Sequence, residues 1–143
     1  MKKVVIADDH EVIREALKRL LRNFDLVGEA SDGDSALELV RQNKPDLILL
    51  DLSMPKRTGL SIIKDIRSCH EGIKILIVTI NASPHKAQDA LDAGANGYFL
   101  KDENVGQLRS AISCVMKGGR YVSPLLGLSD CIEAPPPKKA EVK

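Results

Sequence analysis

Short, wholly apolar runs alternate along this chain with longer stretches in which apolar residues recur every three or four positions. Residues 4–7 form the first run and read as a buried strand. From Glu11 to Phe24, the residues Val12, Ile13, Ala16, Leu17, Leu20 and Leu21 fall on one stripe, with Arg14, Lys18 and Arg22 off it. That spacing predicts an amphipathic helix. Residues 26–30 read as a second strand. Ser31, Asp32 and Gly33 supply a turn and a helix start, and Ala36, Leu37 and Val40 form the next stripe. Asn43-Lys44-Pro45 stops that helix, because proline biases its predecessor away from helical backbone. Residues 47–50 are apolar throughout, as expected of a strand covered on both faces.

A loop at 54–59 precedes a third helix marked by Leu60, Ile63 and Ile66, and residues 73–80 form a long β-rich run. Ser83-Pro84 pairs an N-cap with proline at the first helical position. The helix it opens runs to Ala93, with Leu91 as its one bulky apolar residue among Ala87, Ala90 and Ala93. Gly94 closes it, and 96–100 is a fifth strand. Asn104 caps a last helix with Val105, Leu108, Ala111, Ile112 and Val115 inward and Gly118-Gly119 at its end. The order is (βα)5, an α/β chain with a doubly wound parallel sheet, right-handed crossovers and three layers. Beyond Ser123 the periodicity stops, and Pro135-Pro136-Pro137 and Lys138-Lys139 read as extended chain. The expected organisation is one domain at 1–122 and a Pro-rich linker or tail at 123–143.

Composition narrows the picture without changing it. A chain of 143 residues is about one domain, and it buries roughly two-thirds of its unfolded surface without a staple. Trp is absent and Phe24, Phe99, Tyr98 and Tyr121 are the aromatics, so the core is aliphatic. Lys+Arg of 21 against Asp+Glu of 20 gives no electrostatic case for a nucleic-acid surface or a membrane patch. Cys69, Cys114 and Cys131 lie far apart, which fits reduced thiols. The N-terminus turns acidic too soon for a signal peptide, and no run approaches the roughly 20 apolar residues of a spanning helix. The expectation is a soluble, cytoplasmic protein.

Candidate chemistry sits at the ends of the apolar runs. Asp8-Asp9, Asp51, Thr79 and Lys101 each fall at or just after the end of a different run. In a parallel sheet the carboxyl ends of neighbouring strands share one edge, where ligands bind. Three carboxylates, one hydroxyl and one ammonium would meet there. Such a set suits a hard cation such as Mg2+ and a carboxylate nucleophile toward phosphorus, with the metal neutralising the transferring group. Asp51 ends the most central run and is the best nucleophile. Singly, each residue has a plainer role: an acidic pair opening a helix, a turn aspartate, a β-branched strand residue, a surface lysine. Tyr98 either packs inward or points out. His10, His70 and His85 lack metal-ligand spacing and read as surface residues, His10 with the alternative of tuning the site or touching a partner.

The stretches Val5-Ile6-Ala7-Asp8-Asp9-His10, Leu49-Leu50-Asp51-Leu52-Ser53-Met54-Pro55, Thr79, and Gly94-Ala95-Asn96-Gly97-Tyr98-Phe99-Leu100-Lys101 carry a resemblance. Over about residues 3–122 the chain resembles the receiver domain of two-component response regulators. The Asp-Asp-His and Gly-Tyr-Phe-Leu-Lys segments are most similar to the NarL/FixJ/LuxR branch, whose members carry a C-terminal helix-turn-helix. The resemblance implies a flavodoxin-like sheet of order 2-1-3-4-5. It also implies Asp51 as the phosphoacceptor for a sensor histidine kinase, and Mg2+ held by Asp8, Asp9, Asp51 and the backbone carbonyl of Ser53. Thr79 and Lys101 would contact the phosphoryl group, and Thr79 and Tyr98 would be the switch. Such a protein catalyses only its own phosphorylation and dephosphorylation.

The implied output is transcription through a DNA-binding domain beyond this chain. A stand-alone receiver acting by protein contact is the alternative, and a homodimer is left open. Three features depart from the pattern or bear on it. Thr58 stands where an aspartate is common, Ile80 is bulkier than the usual small residue after the switch threonine, and Ser53 and Asn81 flank the site, where they could position water. A haloacid-dehalogenase-like phosphotransferase would want a second aspartate where Ser53 stands. A Rossmann unit would want a Gly-rich loop where Asp8-Asp9-His10 stands.

Overall fold

The computed structural model describes residues 1–55 and 58–126, and of Val105 the backbone alone. The inward placement expected for the Val105 side chain and the reading of the tail from 127 onward lie outside the described residues. Elements run β1 (Lys3–Ala7), α1 (Glu11–Leu20), β2 (Asp25–Ala30), α2 (Gly33–Asn43), β3 (Leu47–Leu50) and α3 (Gly59–Cys69). They continue β4 (Lys74–Thr79), α4 (Pro84–Ala93), β5 (Gly97–Leu100), α5 (Val105–Met116) and β6 (Tyr121–Val122), closing on a single 3-10 turn at Pro124–Leu126. All neighbouring strands are parallel, in the order β2-β1-β3-β4-β5-β6.

The expected doubly wound order is therefore present, extended by a sixth strand that no apolar run announced. β6 is two residues long and is held on β5 by the Tyr121 N–H to Asn96 O at 3.3 Å and the Ser123 N–H to Tyr98 O at 2.9 Å. Leu126 just beyond it is buried.

β3 and β5 are buried at every position, and β1 at every position after Lys3. Their side chains alternate between two apolar clusters. One lies under α2, α3 and α4 and contains Ile48, Leu50, Ile63, Ile66 and Tyr98; the other lies under α1 and α5 and contains Ile6, Leu17, Leu49, Phe99 and Ile112. This is why the strands read as continuous runs. Asp32, Thr58, Ser83 and Asn104 each accept the N–H three residues on and cap α2, α3, α4 and α5. Gly94 closes α4 at φ 123°, a left-handed backbone that suits glycine.

Two helical readings need correction. α1 ends at Leu20, with Leu21 still buried in the turn that follows, and its inward stripe is Ile13, Leu17, Leu20 and Leu21. Val12 and Ala16, one turn apart on the flank, are exposed, Val12 by 79%. In α3 the buried face is Ile62, Ile63 and Ile66, and Leu60 is turned outward. No described helix is long and apolar enough to cross a membrane.

Candidate functional site

The sheet ladder continues one residue past three strands, and that continuation aims the side chains. The Asp8 N–H donates to Ala30 O at 3.0 Å, the Asp51 N–H to Ala7 O at 2.9 Å, and the Lys101 N–H to Thr79 O at 2.8 Å. Each backbone is thereby fixed at the carboxyl rim while its side chain enters the crevice. One ligand atom from each of Asp8, Asp9, His10 and Asp51 lies within 4.8 Å of the others. Lys101 Nζ donates to Asp8 Oδ2 at 2.7 Å and to Asp51 Oδ2 at 3.4 Å. The Asp8 and Asp51 side chains are 2% exposed, Lys101 13% and Asp9 34%.

The charges do not balance. Asp8 and Asp51, both buried, and the partly exposed Asp9 face one ammonium, so the carboxylates outnumber the cation. Uncompensated buried carboxylates cost several kcal/mol each, roughly. A hard divalent cation supplies the missing charge and takes oxygen ligands, so the donor set fits Mg2+. Ser53 lies beside it, its N–H donating to Asp51 Oδ1 at 3.1 Å in a tight aspartate turn. A cavity of about 390 Å³ adjoins this loop, lined by Ser53, Thr58, Asn81 and Lys86 among others. Another, of about 670 Å³, lies between α1 and α5, against Arg19, Phe24, Arg109 and Met116.

Thr79 and Tyr98 stand behind the rim and are linked. Thr79 is fully buried, and its Oγ1 accepts the Asn81 N–H at 3.3 Å. Tyr98 packs inward with no exposure, and its hydroxyl donates to the Asn81 carbonyl at 2.9 Å. Burial, with the negative charge of Asp51, pushes the Tyr98 phenol up to about 12, so it stays a donor. Ile80, the next residue after β4, is 69% exposed.

Two further residues reach the site: His10, read as a surface residue with the alternative of tuning the site, and Arg14, which the sequence did not single out. The His10 ring is 63% exposed, yet its Nδ1 lies 3.1 Å from both Asp8 Oδ1 and Asp9 Oδ1. Its place directly after the aspartate pair was the available signal. Arg14 donates to the Asp8 carbonyl at 2.6 Å and to Glu29 Oε1 at 3.2 Å, pinning the β1–α1 turn from the helix. That contact depends on helix phase and left no mark in the sequence pattern.

Residues 4–113 match the family model of the response regulator receiver domain. Transcriptional regulatory protein DegU of Brevibacillus brevis is 36% identical over 124 residues, covering 85% of this chain and 52% of that protein. Transcriptional regulatory protein YdfI of Bacillus subtilis is 38% identical over 127 residues, 87% of this chain and 59% of that protein. The chain thus spans somewhat over half the length of these curated relatives. The crystal structure of a LuxR-family two-component response regulator from Aurantimonas sp. SI85-9A1 superposes with a TM-score of 0.79 at 31% identity, covering 86% of this chain and 89% of that one.

Proposed function

The chain belongs to the response regulator receiver domain family, and we propose that it is the phosphorylatable receiver of a two-component system with Asp51 as acceptor. The observation that carries this reading is the meeting of Asp8, Asp9, Asp51 and Lys101 at one rim. Asp51 is central there: one oxygen takes the Ser53 N–H and the other faces Lys101.

In the transfer, the P–N bond of a phosphohistidine on a sensor histidine kinase breaks as a P–O bond to Asp51 forms, and the histidine nitrogen keeps the electron pair. Mg2+ held by Asp8, Asp9, Asp51 and the Ser53 carbonyl would neutralise charge on the phosphoryl oxygens. Lys101 supplies further positive charge. Its bond to Asp8 is short at 2.7 Å and that to Asp51 long at 3.4 Å, so the ammonium can turn to a phosphoryl oxygen without leaving Asp8.

The Thr79 hydroxyl donates to the same group. Drawing Thr79 toward Asp51 pulls on the Asn81 N–H that it accepts, and the Asn81 carbonyl holds the Tyr98 hydroxyl. Tyr98 therefore follows Thr79. α4 buries only Ala87, Ala90 and Leu91, two of them alanines, so it has little packing to lose by shifting. The output we propose is transcriptional, exerted by a region beyond the matched residues.

The test is phosphorylation with acetyl phosphate and Mg2+. Wild type takes up one phosphoryl group and Asp51→Asn none. Equal labelling of the two proteins overturns the assignment of the acceptor.

A further inference from the structure

Lys101 follows the last residue of β5, Leu100. The Lys101 N–H faces β4, where it meets Thr79 O. Strand alternation then turns the N–H and C=O of Leu100 the other way, toward β6. β6 stops at Val122, opposite Tyr98, and leaves Leu100 without a ladder partner.

Glu103 fills that place. Its Oε2 accepts the Leu100 N–H at 3.1 Å, and its own N–H donates to Leu100 O at 2.9 Å. Its other oxygen accepts the Tyr121 hydroxyl. Burial, together with this carboxylate, raises the Tyr121 phenol, which keeps it a donor. The Tyr121 ring in turn lies against Phe99, with centroids 6.2 Å apart. Both carboxylate oxygens of Glu103 are thus engaged, one on each side of the strand gap. Nothing in the chemistry described above uses Glu103 or Tyr121.

We propose that Glu103, seated by the Tyr121 hydroxyl, is a positioning residue for Lys101. It fixes the strand end from which Lys101 Nζ reaches Asp8 and Asp51. With Thr79 O holding the Lys101 backbone from β4 and Glu103 holding Leu100 from the β6 side, the base of the lysine is clamped from two directions. Glu103 itself touches neither carboxylate nor phosphoryl group, so its whole effect on transfer passes through Lys101. The proposal rests on Asp51 being the phosphoacceptor.

The experiment is a double-mutant cycle on the initial rate of phosphorylation by acetyl phosphate with Mg2+, using Glu103→Ala, Lys101→Ala and the double variant. Glu103→Ala is expected to slow wild type about tenfold, the scale of one lost charge-assisted hydrogen bond. It should cause no further loss in the Lys101→Ala background. Tyr121→Phe, which removes only the seating hydroxyl, slows the reaction less, and Glu103→Gln falls between Glu103→Ala and wild type. Thermal unfolding of each variant separates this from instability. Amide exchange adds a reading free of phosphate: the Leu100 amide exchanges faster in Glu103→Ala.

Equal losses in both backgrounds, or no loss in wild type, overturn the proposal alone. A wild type that takes no label overturns the phosphoacceptor reading and this proposal with it.

Discussion

Removing the Lys101 ammonium tests whether the crevice is one electrostatic unit. In Lys101→Ala, Asp8 and Asp51, each 2% exposed with the lysine in place, lose the cation 2.7 and 3.4 Å away. At an effective dielectric of about 20, those two pairs are worth about 6 and 5 kcal/mol of Coulomb energy. Most of that is offset by the cost of desolvating the ions. Breaking a buried pair from one side costs about 3–5 kcal/mol net, and the 13% exposure of Lys101 puts the expected loss near the lower end. About 3 kcal/mol is a large share of the roughly 5–15 kcal/mol that holds a domain folded.

The same deletion should strengthen Mg2+ binding, because ammonium and metal compete for the same carboxylates. Ligand binding stabilises by about 2.7 kcal/mol at a hundred times the dissociation constant, so Mg2+ should return much of what the substitution removes. The assay is urea unfolding with EDTA and with saturating Mg2+, comparing midpoints at unchanged m. Expected is a large loss for Lys101→Ala in EDTA and a larger Mg2+ shift than in wild type. A variant as stable as wild type in EDTA would refute the argument. So would an equal Mg2+ shift in the two proteins, since the lysine and the metal would then not share their carboxylates.

The Tyr98 phenol is raised in the fold from its ordinary 10 to about 12. The unfolded chain gives up this proton first, so folding stability falls by about 3 kcal/mol as pH climbs from 10 to about 12. Tyr98→Phe should be about 1 kcal/mol less stable at neutral pH, through its lost bond to Asn81. It should also fall less steeply between pH 10 and 12 in alkaline denaturation, the remaining slope coming partly from Tyr121, whose phenol is raised as well. Gly97→Ala would place a Cβ 2.8 Å from Leu76 Cδ1 and 3.0 Å from the Tyr121 carbonyl. Calorimetry should show a loss of about 1–3 kcal/mol, and a neutral result would mean that β6 does not press on β5. Arg67 donates to the carbonyls of Glu71, Ile73 and Gly94 and to Asn96 Oδ1. Arg67→Lys cannot reproduce that fork and should cost about 2 kcal/mol or more in urea unfolding; equal midpoints would contradict it.

The framework was legible because parallel strands buried on both faces leave unbroken apolar runs, and because helix starts carry capping chemistry. Residues 47–50 and the Ser83-Pro84 start coincide with observed boundaries for those reasons. β6 was not legible: two residues after Gly118-Gly119 make no period, and what holds them is the neighbouring β5 backbone. The apolar stripe predicts a longer α1 than the structure has, because Leu21 continues the stripe while already belonging to the turn. At the site, the strand-end rule located Asp8, Asp9, Asp51 and Lys101, since topology alone brings those ends to one rim. His10, Arg14 and Glu103 escaped it. Their contacts depend on ring orientation, helix phase and an unpartnered strand edge, none of which is a matter of spacing.

The ties within the crevice are unequal, and under the proposed phosphorylation of Asp51 that inequality would set the direction of the response. Asp8 is held by the Ala30 carbonyl, the His10 N–H, Arg14 on its carbonyl and a short bond to Lys101. Asp51 has its backbone bond to Ala7, the Ser53 N–H and a longer reach to Lys101. A new charge on Asp51 therefore finds β1 already committed. The groups with something to exchange are Lys101, which can give up its weaker bond, and Thr79, whose bond to the Asn81 N–H is long at 3.3 Å. Both belong to the β4–β5 side of the sheet, where α4 packs through alanines. A signal starting at Asp51 should accordingly leave α2 and the β1–α1 turn in place and appear in β4, α4 and β5. Amide exchange compared with and without acetyl phosphate reads this directly, and equal changes in α2 and α4 would show that the bond asymmetry does not steer the response.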